Sequence, residues 1–429
     1  ISQDVQGEAY DYPSVFFEER IHEIRRVNPD PNQIKKAAEV IKKCKQPIII
    51  SGGGTLYSEA EDELSLFAKK HNIPVTQTVM GIGAMDKEDP YNLGPIGCLG
   101  VGGSNSLSKD TDLALAVGTK LGDFTTGSWG NFHNPDFKLI SINTTRFDVT
   151  KHLASPVVSD AKLGLNELSK ILGDWRAPDS WYQRGVKEAK EWDQYVEKES
   201  GPTNQELPSY AHAVGAIYRN ADPSDIVVTA AGGLVGEVVQ IWKPKQKNTF
   251  ETEWGFSCMG YEISGALGIK MAKPDQDVIV FLGDGSYLLN NSDIYSSVIY
   301  EKKLIIVVCD NSGHMVINRL QLAKGGKEYL CNLKAARATN FVEVDFASHA
   351  SSMGAESETV SSTSELESAF KRAKQSKTTY VISIKTHGYE WLKGTAYWES
   401  PTLEVHTTEE NKKAFEEHTQ GKEKQRRGV

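Results

Sequence analysis

The sequence predicts an α/β fold made of two parallel-sheet α/β domains in tandem, and three observations point to it. Short runs rich in Ile, Val and Leu alternate with longer segments whose apolar residues recur at helical spacing, the pattern of parallel strands buried on both faces and joined by helices. Glycines follow directly on two of those runs, Gly52-Gly53-Gly54 and Gly283-Asp284-Gly285, where a strand has to turn sharply into a helix. A charged, tryptophan-containing stretch at residues 174–206 separates two such alternating blocks and has the composition of an inter-domain connection. At 429 residues the chain is long enough for two domains with cores of their own.

Residues 1–30 carry scattered Tyr, Pro and charges and form a linker, with a short helix expected at 13–26. The first domain is expected at 31–173. An apolar strand at 47–51 runs into the glycine triplet, a helix follows at 58–71, and a strand at 73–77 completes a β-turn-α-β unit. Strands at 112–117 and 138–143 and a helix at 164–172 continue the alternation. The connection at 174–206 includes a charged helix over 187–198. The second domain is expected at 207–395. It alternates helix 208–220, strand 225–230, helix 259–272, strand 277–282, helix 293–301, strand 304–309, helix 364–375 and strand 378–386. Residues 396–429 form a charged tail, a solvated helix or frayed segment from 409 onward.

Composition excludes several classes. Hydrophobic residues at 39% and charged residues at 24% are ordinary for a globular chain, and no uncharged apolar run is long enough to span a membrane. A net charge of -9 argues against a nucleic-acid partner and for a small-molecule one. Cys44, Cys98, Cys258, Cys309 and Cys331 are scattered and odd in number, which fits neither a disulfide framework nor a metal cage and favours a reducing, cytoplasmic setting. The chain starts at Ile1, without methionine or an apolar leader, so its true start is expected upstream. His133, His152 and His349 stand alone and are expected to be ordinary hydrogen-bonded or surface residues.

The chemistry concentrates in the second domain. Val278-Ile279-Val280-Phe281-Leu282 leads directly into Gly283-Asp284-Gly285-Ser286, which sets a carboxylate at the carboxyl end of a buried strand, where open α/β sheets bind ligands. The glycines permit close backbone approach, and the helix after them offers free N–H groups to an anion such as a diphosphate. Alone, a Gly-Asp-Gly tripeptide more often marks a tight surface turn than a ligand site. The next strand ends in Asp310-Asn311-Ser312-Gly313, however, and neighbouring parallel strands lie about 5 Å apart. Oxygens of Asp284 and Asn311 can then meet on one small hard cation such as magnesium.

This pair of segments, with Asp284 and Asn311 27 positions apart, resembles the cofactor motif of the thiamine-diphosphate-dependent enzymes, the family that includes acetolactate synthase and pyruvate decarboxylase. The resemblance implies that the two domains are that family's middle domain and its diphosphate-binding domain. It implies magnesium held by Asp284, Asn311 and the carbonyl of Gly313, with Gly283, Gly285 and Ser286 around the diphosphate. Upstream, Trp254-Gly255-Phe256-Ser257-Cys258-Met259-Gly260-Tyr261 is similar to the family's turn before a helix. By this likeness Met259 is the apolar wedge that bends the cofactor, and Ser257 offers a backbone carbonyl to its amino group. Gly232 and Gly233 approach its diphosphate end. Met259 also fits an ordinary core position, on one helical face with Ile263, Ala266 and Leu267.

Other segments resemble the branch of the family that hydrolyses 3D-(3,5/4)-trihydroxycyclohexane-1,2-dione to 5-deoxy-D-glucuronate in myo-inositol catabolism. They are Phe256 to Ile263, Gly283 to Leu288, Ile317 to Gln321, Gly118 to Ser128, Ile142 to Lys151 and Val344 to Ala355. The chain departs from that branch at His314 and at Tyr397-Trp398, where paired tryptophans are expected. The family's essential glutamate lies in an N-terminal pyrimidine-binding domain that has no counterpart here. The resemblance therefore implies a fragment, or a split subunit of a homo-oligomer whose pyrimidine-binding domain comes in cis or in trans. Three alternatives stay open: a carboligase or decarboxylase of 2-keto acids, an inactive cofactor-binding remnant, and a nucleotide-phosphate loop at Gly52-Gly53-Gly54-Thr55. The last lacks G-x-G-x-x-G spacing.

Overall fold

Ile48, Ile49 and Ile50 are each fully buried, Ile49 in the core on one side of a sheet and Ile48 and Ile50 in the core on the other. A strand with alternate side chains in two cores is covered on both faces, so a continuous apolar run encodes it. The computed structural model describes residues 1–335 and 341–426 and contains two such sheets.

The first sheet comprises β1 (Pro47–Ser51), β2 (Val75–Gln77), β3 (Asn92–Pro95), β4 (Leu113–Val117), β5 (Lys138–Asn143) and β6 (Ser155–Val158). All pairings are parallel, in the order β3-β2-β1-β4-β5-β6, so the winding direction reverses between β1 and β4. The second comprises β7 (Ile226–Thr229), β8 (Phe250–Thr252), β9 (Val278–Gly283), β10 (Ile305–Asp310), β11 (Glu356–Val360) and β12 (Tyr380–Lys385). It too is parallel, in the order β11-β12-β10-β9-β7-β8. Ile279 and Phe281 of β9 enter one core and Val278, Val280 and Leu282 the other. The α/β class and the two parallel sheets are therefore as expected.

Several expectations are corrected. Residues 13–26 are not a helix: only Ser14–Phe16 makes a single 3₁₀ turn, since Phe16 and Phe17 pack on each other and on Tyr12 yet stay exposed, as do Ile21 and Ile24, and bury no face in a core. The first helix of consequence is Pro31–Ile41, whose N-terminus is capped by Asp30 accepting the N–H groups of Asn32 and Gln33. The helix expected at 58–71 begins at Glu61 and ends at His71, and a separate short helix, Gly53–Tyr57, precedes it in the glycine-rich turn. The connecting helix is longer than expected, Asp179–Glu199. The C-terminal charged segment is a helix, Glu409–Glu423, docked through buried Asn411 and Ala414, with Asn411 Nδ2 donating to the Gly325 carbonyl at 2.6 Å. Residues 427–429 of that expected tail lie outside the described residues.

Between β12 and the last helix the chain runs back across the molecule. Thr395 Oγ1 accepts from Asn105 Nδ2 at 2.7 Å, Trp398 Nε1 donates to Asp123 at 3.0 Å, and the Glu399 N–H donates to Ser128 Oγ at 2.8 Å. This strap ties the second sheet's unit to the first and closes one side of the site.

Candidate active site

The winding of the second sheet reverses between β7 and β9, and in open α/β sheets the crevice at such a reversal, beyond the carboxyl ends of the strands, binds ligands. A cavity of about 660 Å³ lies there. The loops after β7, β9 and β10 contribute Gly232, Gly233, Gly283, Asp284, Gly285, Ser286, Asn311 and Gly313 to its wall. Ser257 and Met259 line it from the segment after β8. Every residue assigned to the cofactor site from sequence thus borders one space.

The register of β9 on β10 pairs Gly283 with Cys309, which brings Asp284 and Asn311 to the same end of two neighbouring strands. Asp284 is buried and accepts the Gly313 N–H at 2.7 Å. Burial, reinforced by the nearby Asp310 carboxylate, pushes its pKa up to about 7. Asp310 itself pairs with Lys385 Nζ at 2.6 Å. Asn311 Nδ2 donates to the buried Tyr210 hydroxyl at 2.7 Å, while its Oδ1 is buried without a partner among the described residues. Gly313 admits no side chain, because a Cβ there would fall 2.2 Å from the Cys331 carbonyl oxygen. Among the described residues no group of three or more His, Cys, Asp or Glu side chains is placed to hold a metal. The expected set uses one carboxylate, one amide and one backbone carbonyl and lies outside that class.

Met259 is half-buried on the cavity wall and belongs to none of the apolar cores, unlike Ile263, Ala266 and Leu267. Its helix begins two residues later, at Tyr261, after Gly260 at φ +93°. A Cβ on Gly285 would meet the His314 ring at 2.8 Å and the Met259 methyl at 3.1 Å, so only bare backbone fits between them. Gly233 is equally confined, with the Trp391 ring 2.1 Å from the position of a Cβ. His314, an unexpected residue by sequence, lines the same cavity.

Other residues of the site were not legible in the sequence. Glu262 is fully buried; its carboxylate accepts the Ala231 N–H at 3.2 Å, the Gly260 N–H at 2.9 Å and the Ser286 hydroxyl, joining the three loops after β7, β8 and β9. Its pKa is raised, chiefly by burial. Glu237, on the helix Leu234–Ile241, accepts the Leu392 N–H at 3.1 Å, and burial pushes its pKa up to about 7. Phe124 packs against Trp254 at 5.5 Å and Trp398 at 5.2 Å, an aromatic wall drawn from both units of the chain. The only advance signal for Glu262 was a carboxylate in the first turn of a mainly apolar helix.

The other glycine-rich turn is closed. The Gly52 N–H donates to the Val117 carbonyl at 2.8 Å and the Gly54 N–H to the Gly118 carbonyl at 2.9 Å, so these amides are not available to a phosphate. The isolated histidines are structural: His133 bonds the Gly130 carbonyl at 2.7 Å, His349 the Tyr287 hydroxyl at 2.9 Å, and His152 stacks on Trp129.

Comparison with known proteins agrees with this geometry. Residues 34–168 match the central domain of thiamine pyrophosphate enzymes, and residues 230–384 match their C-terminal TPP binding domain. The chain is 35% identical to the 3D-(3,5/4)-trihydroxycyclohexane-1,2-dione hydrolase of Halalkalibacterium halodurans, over 97% of this chain and 69% of that protein. The enzyme of the same name from Clostridium tetani is also 35% identical, and that from Geobacillus thermodenitrificans 34%, each over 97% of this chain and 69% of the relative. With both family domains matched and relatives about a third identical over nearly the full length, the chain belongs to the thiamine pyrophosphate enzyme family.

Proposed function

We propose that this chain uses thiamine diphosphate and magnesium to hydrolyse the bond between the two carbonyl carbons of 3D-(3,5/4)-trihydroxycyclohexane-1,2-dione, the compound in its relatives' names. The observation that carries the reading is that the loops after β7, β8, β9 and β10 border one cavity in a chain alike over nearly its whole length to those hydrolases. Asp284 and Asn311 would hold magnesium through side-chain oxygens, and Gly313 through its carbonyl. The buried, unpartnered Asn311 Oδ1 beside a buried carboxylate supports this, since both are hard oxygen donors suited to that ion.

Gly232, Gly233, Gly283, Gly285 and Ser286 would surround the diphosphate, where the lack of room for a Cβ at Gly233 and Gly285 supports backbone-only approach. Met259 would press on the cofactor from the cavity wall and hold it bent. Ser257 would hold its amino group through a backbone carbonyl. When bound, thiamine diphosphate supplies a carbon nucleophile and a positively charged ring that accepts the electron pair of the breaking bond. The chain's own part is to place the dione against the aromatic wall of Phe124, Trp254 and Trp398 and to limit the water that reaches it. Adding one water across the bond leaves one carbon as a carboxylic acid and the other as an aldehyde. The same reading takes the enzyme as a cytoplasmic homo-oligomer in which a pyrimidine-binding domain, in cis or in trans, covers the rest of the cofactor.

The full-length natural protein, given both cofactors and the dione in a pH-stat, is expected to release one proton per dione consumed, with no carbon dioxide. Asp284→Asn is expected to lower activity at limiting magnesium by at least tenfold. Carbon dioxide release from pyruvate with the dione untouched would establish a 2-keto acid carboligase or decarboxylase instead.

A further inference from the structure

The cavity wall includes two polar side chains that magnesium and the diphosphate do not explain. Glu237 and Gln240 stand three residues apart on one face of the helix Leu234–Ile241, all of whose residues are buried. Both line the cavity, with exposures of only 3% and 6%. Glu237 Oε1 is occupied by the Leu392 N–H, but Glu237 Oε2 and Gln240 Oε1 have no hydrogen-bond partner among the described residues. Arg319, also at the cavity, is the cation that acts on Glu237, and it lies over the Trp391 ring at 5.3 Å without a hydrogen bond to the carboxylate.

A buried acceptor left unpaired costs on the order of 1–3 kcal/mol, so two in one wall call for donors that arrive with a ligand. A diphosphate brings only acceptors and negative charge, which a carboxylate repels. The amino group of the cofactor is taken, in the reading above, by the Ser257 carbonyl. Of the molecules in the proposed reaction, water and the substrate bring the remaining donors, and only the hydroxyl groups of the substrate's ring come at a fixed spacing that can match two acceptors on one helix face. We propose that Glu237 and Gln240 form a hydroxyl-recognising subsite that grips the polyhydroxylated side of the ring and selects hydroxylated over plain cyclic diones. The inference rests on the proposed ring-opening reaction. Burial also keeps Glu237 partly protonated near neutrality, so its carboxyl can accept from a hydroxyl or donate to one.

The test compares the full-length holoenzyme with its Glu237→Gln and Gln240→Met variants on trihydroxycyclohexane-1,2-dione and on cyclohexane-1,2-dione, which lacks the hydroxyls. The ratio of kcat/KM for the first over the second is expected to fall about tenfold or more in each variant, mainly through KM. Thiamine diphosphate affinity is measured alongside. In parallel, myo-inositol, a polyhydroxylated ring without the dione, is titrated against the tryptophan fluorescence of the cavity and is expected to saturate in the wild type and not in Glu237→Gln. An unchanged ratio overturns the proposal. So does a variant that loses cofactor affinity while keeping the ratio, which would assign the pair to the cofactor's cradle. If the wild type opens neither dione, the proposed reaction falls and the myo-inositol titration alone decides: saturation lost in Glu237→Gln upholds the subsite, and no saturation in the wild type overturns it.

Discussion

Glu237 shows how a single residue couples burial to chemistry. Its pKa stands at about 7 because burial disfavours the carboxylate, against 4.5 for an exposed glutamate. Folding therefore costs nothing through this group below pH 4.5, progressively more between 4.5 and 7, and the full amount above 7. Glu237→Gln removes that cost, so without ligands the variant should gain stability on the wild type as pH rises, by about 3 kcal/mol at most. Unfolding midpoints of both proteins at pH 5 and pH 8 check this. A gap between them that does not change with pH would mean that the carboxylate is well solvated.

At the scale of elements, the site depends on turns held at fixed separations. Glu262 does this for three of them, gathering Ala231, Gly260 and Ser286 around one carboxylate. An amide at this position would turn a second N–H donor toward donors already present, leaving one of them unpaired. Glu262→Gln is expected to lower stability by about 2 kcal/mol and to weaken thiamine diphosphate binding. Denaturant unfolding and a cofactor titration measure the two effects. Loss of stability with unaltered cofactor affinity would show that the three loops keep their spacing without this knot.

At the scale of the whole molecule, two sheets of similar topology are fastened together at the mouth of the cavity. The strap after β12 places Trp398 against Phe124 and on Asp123, while Gln425 and Arg426 return to Ser128, Asn134 and Phe137. Lys374 fastens a different part of the second unit, through Asp222, Asp225 and Asp277 next to the starts of β7 and β9. Because the strap has no strand or helix of its own, its order depends on these side chains. Trp398→Ala should therefore speed tryptic cleavage after the exposed Lys393 severalfold while the sheets stay intact, as judged by circular dichroism. An unchanged digestion rate would show that the strap's other bonds, to Glu237, Tyr195, Asn105 and Ser128, hold it without Trp398.

Fold class, the central strands and the polar ends of β9 and β10 were legible in the order of residues alone. β1, β9 and β10 are buried on both faces, so burial wrote an unbroken apolar run into each, and Asp284 and Asn311 lie immediately beyond two of those runs. β3, β6, β8 and β11 left no such mark. They lie at the sheet edges, are three to five residues long, and carry polar or proline residues that partial exposure permits. The helix expected at 13–26 failed for the opposite reason, because apolar side chains without a surface to cover do not order a helix. Only the tertiary structure decided that Glu237 faces the cavity, that it meets a backbone N–H 155 positions away, and that Glu262 joins three loops. A strand's burial is a local property that composition records, whereas a hydrogen bond between distant segments exists only once both have been packed into place.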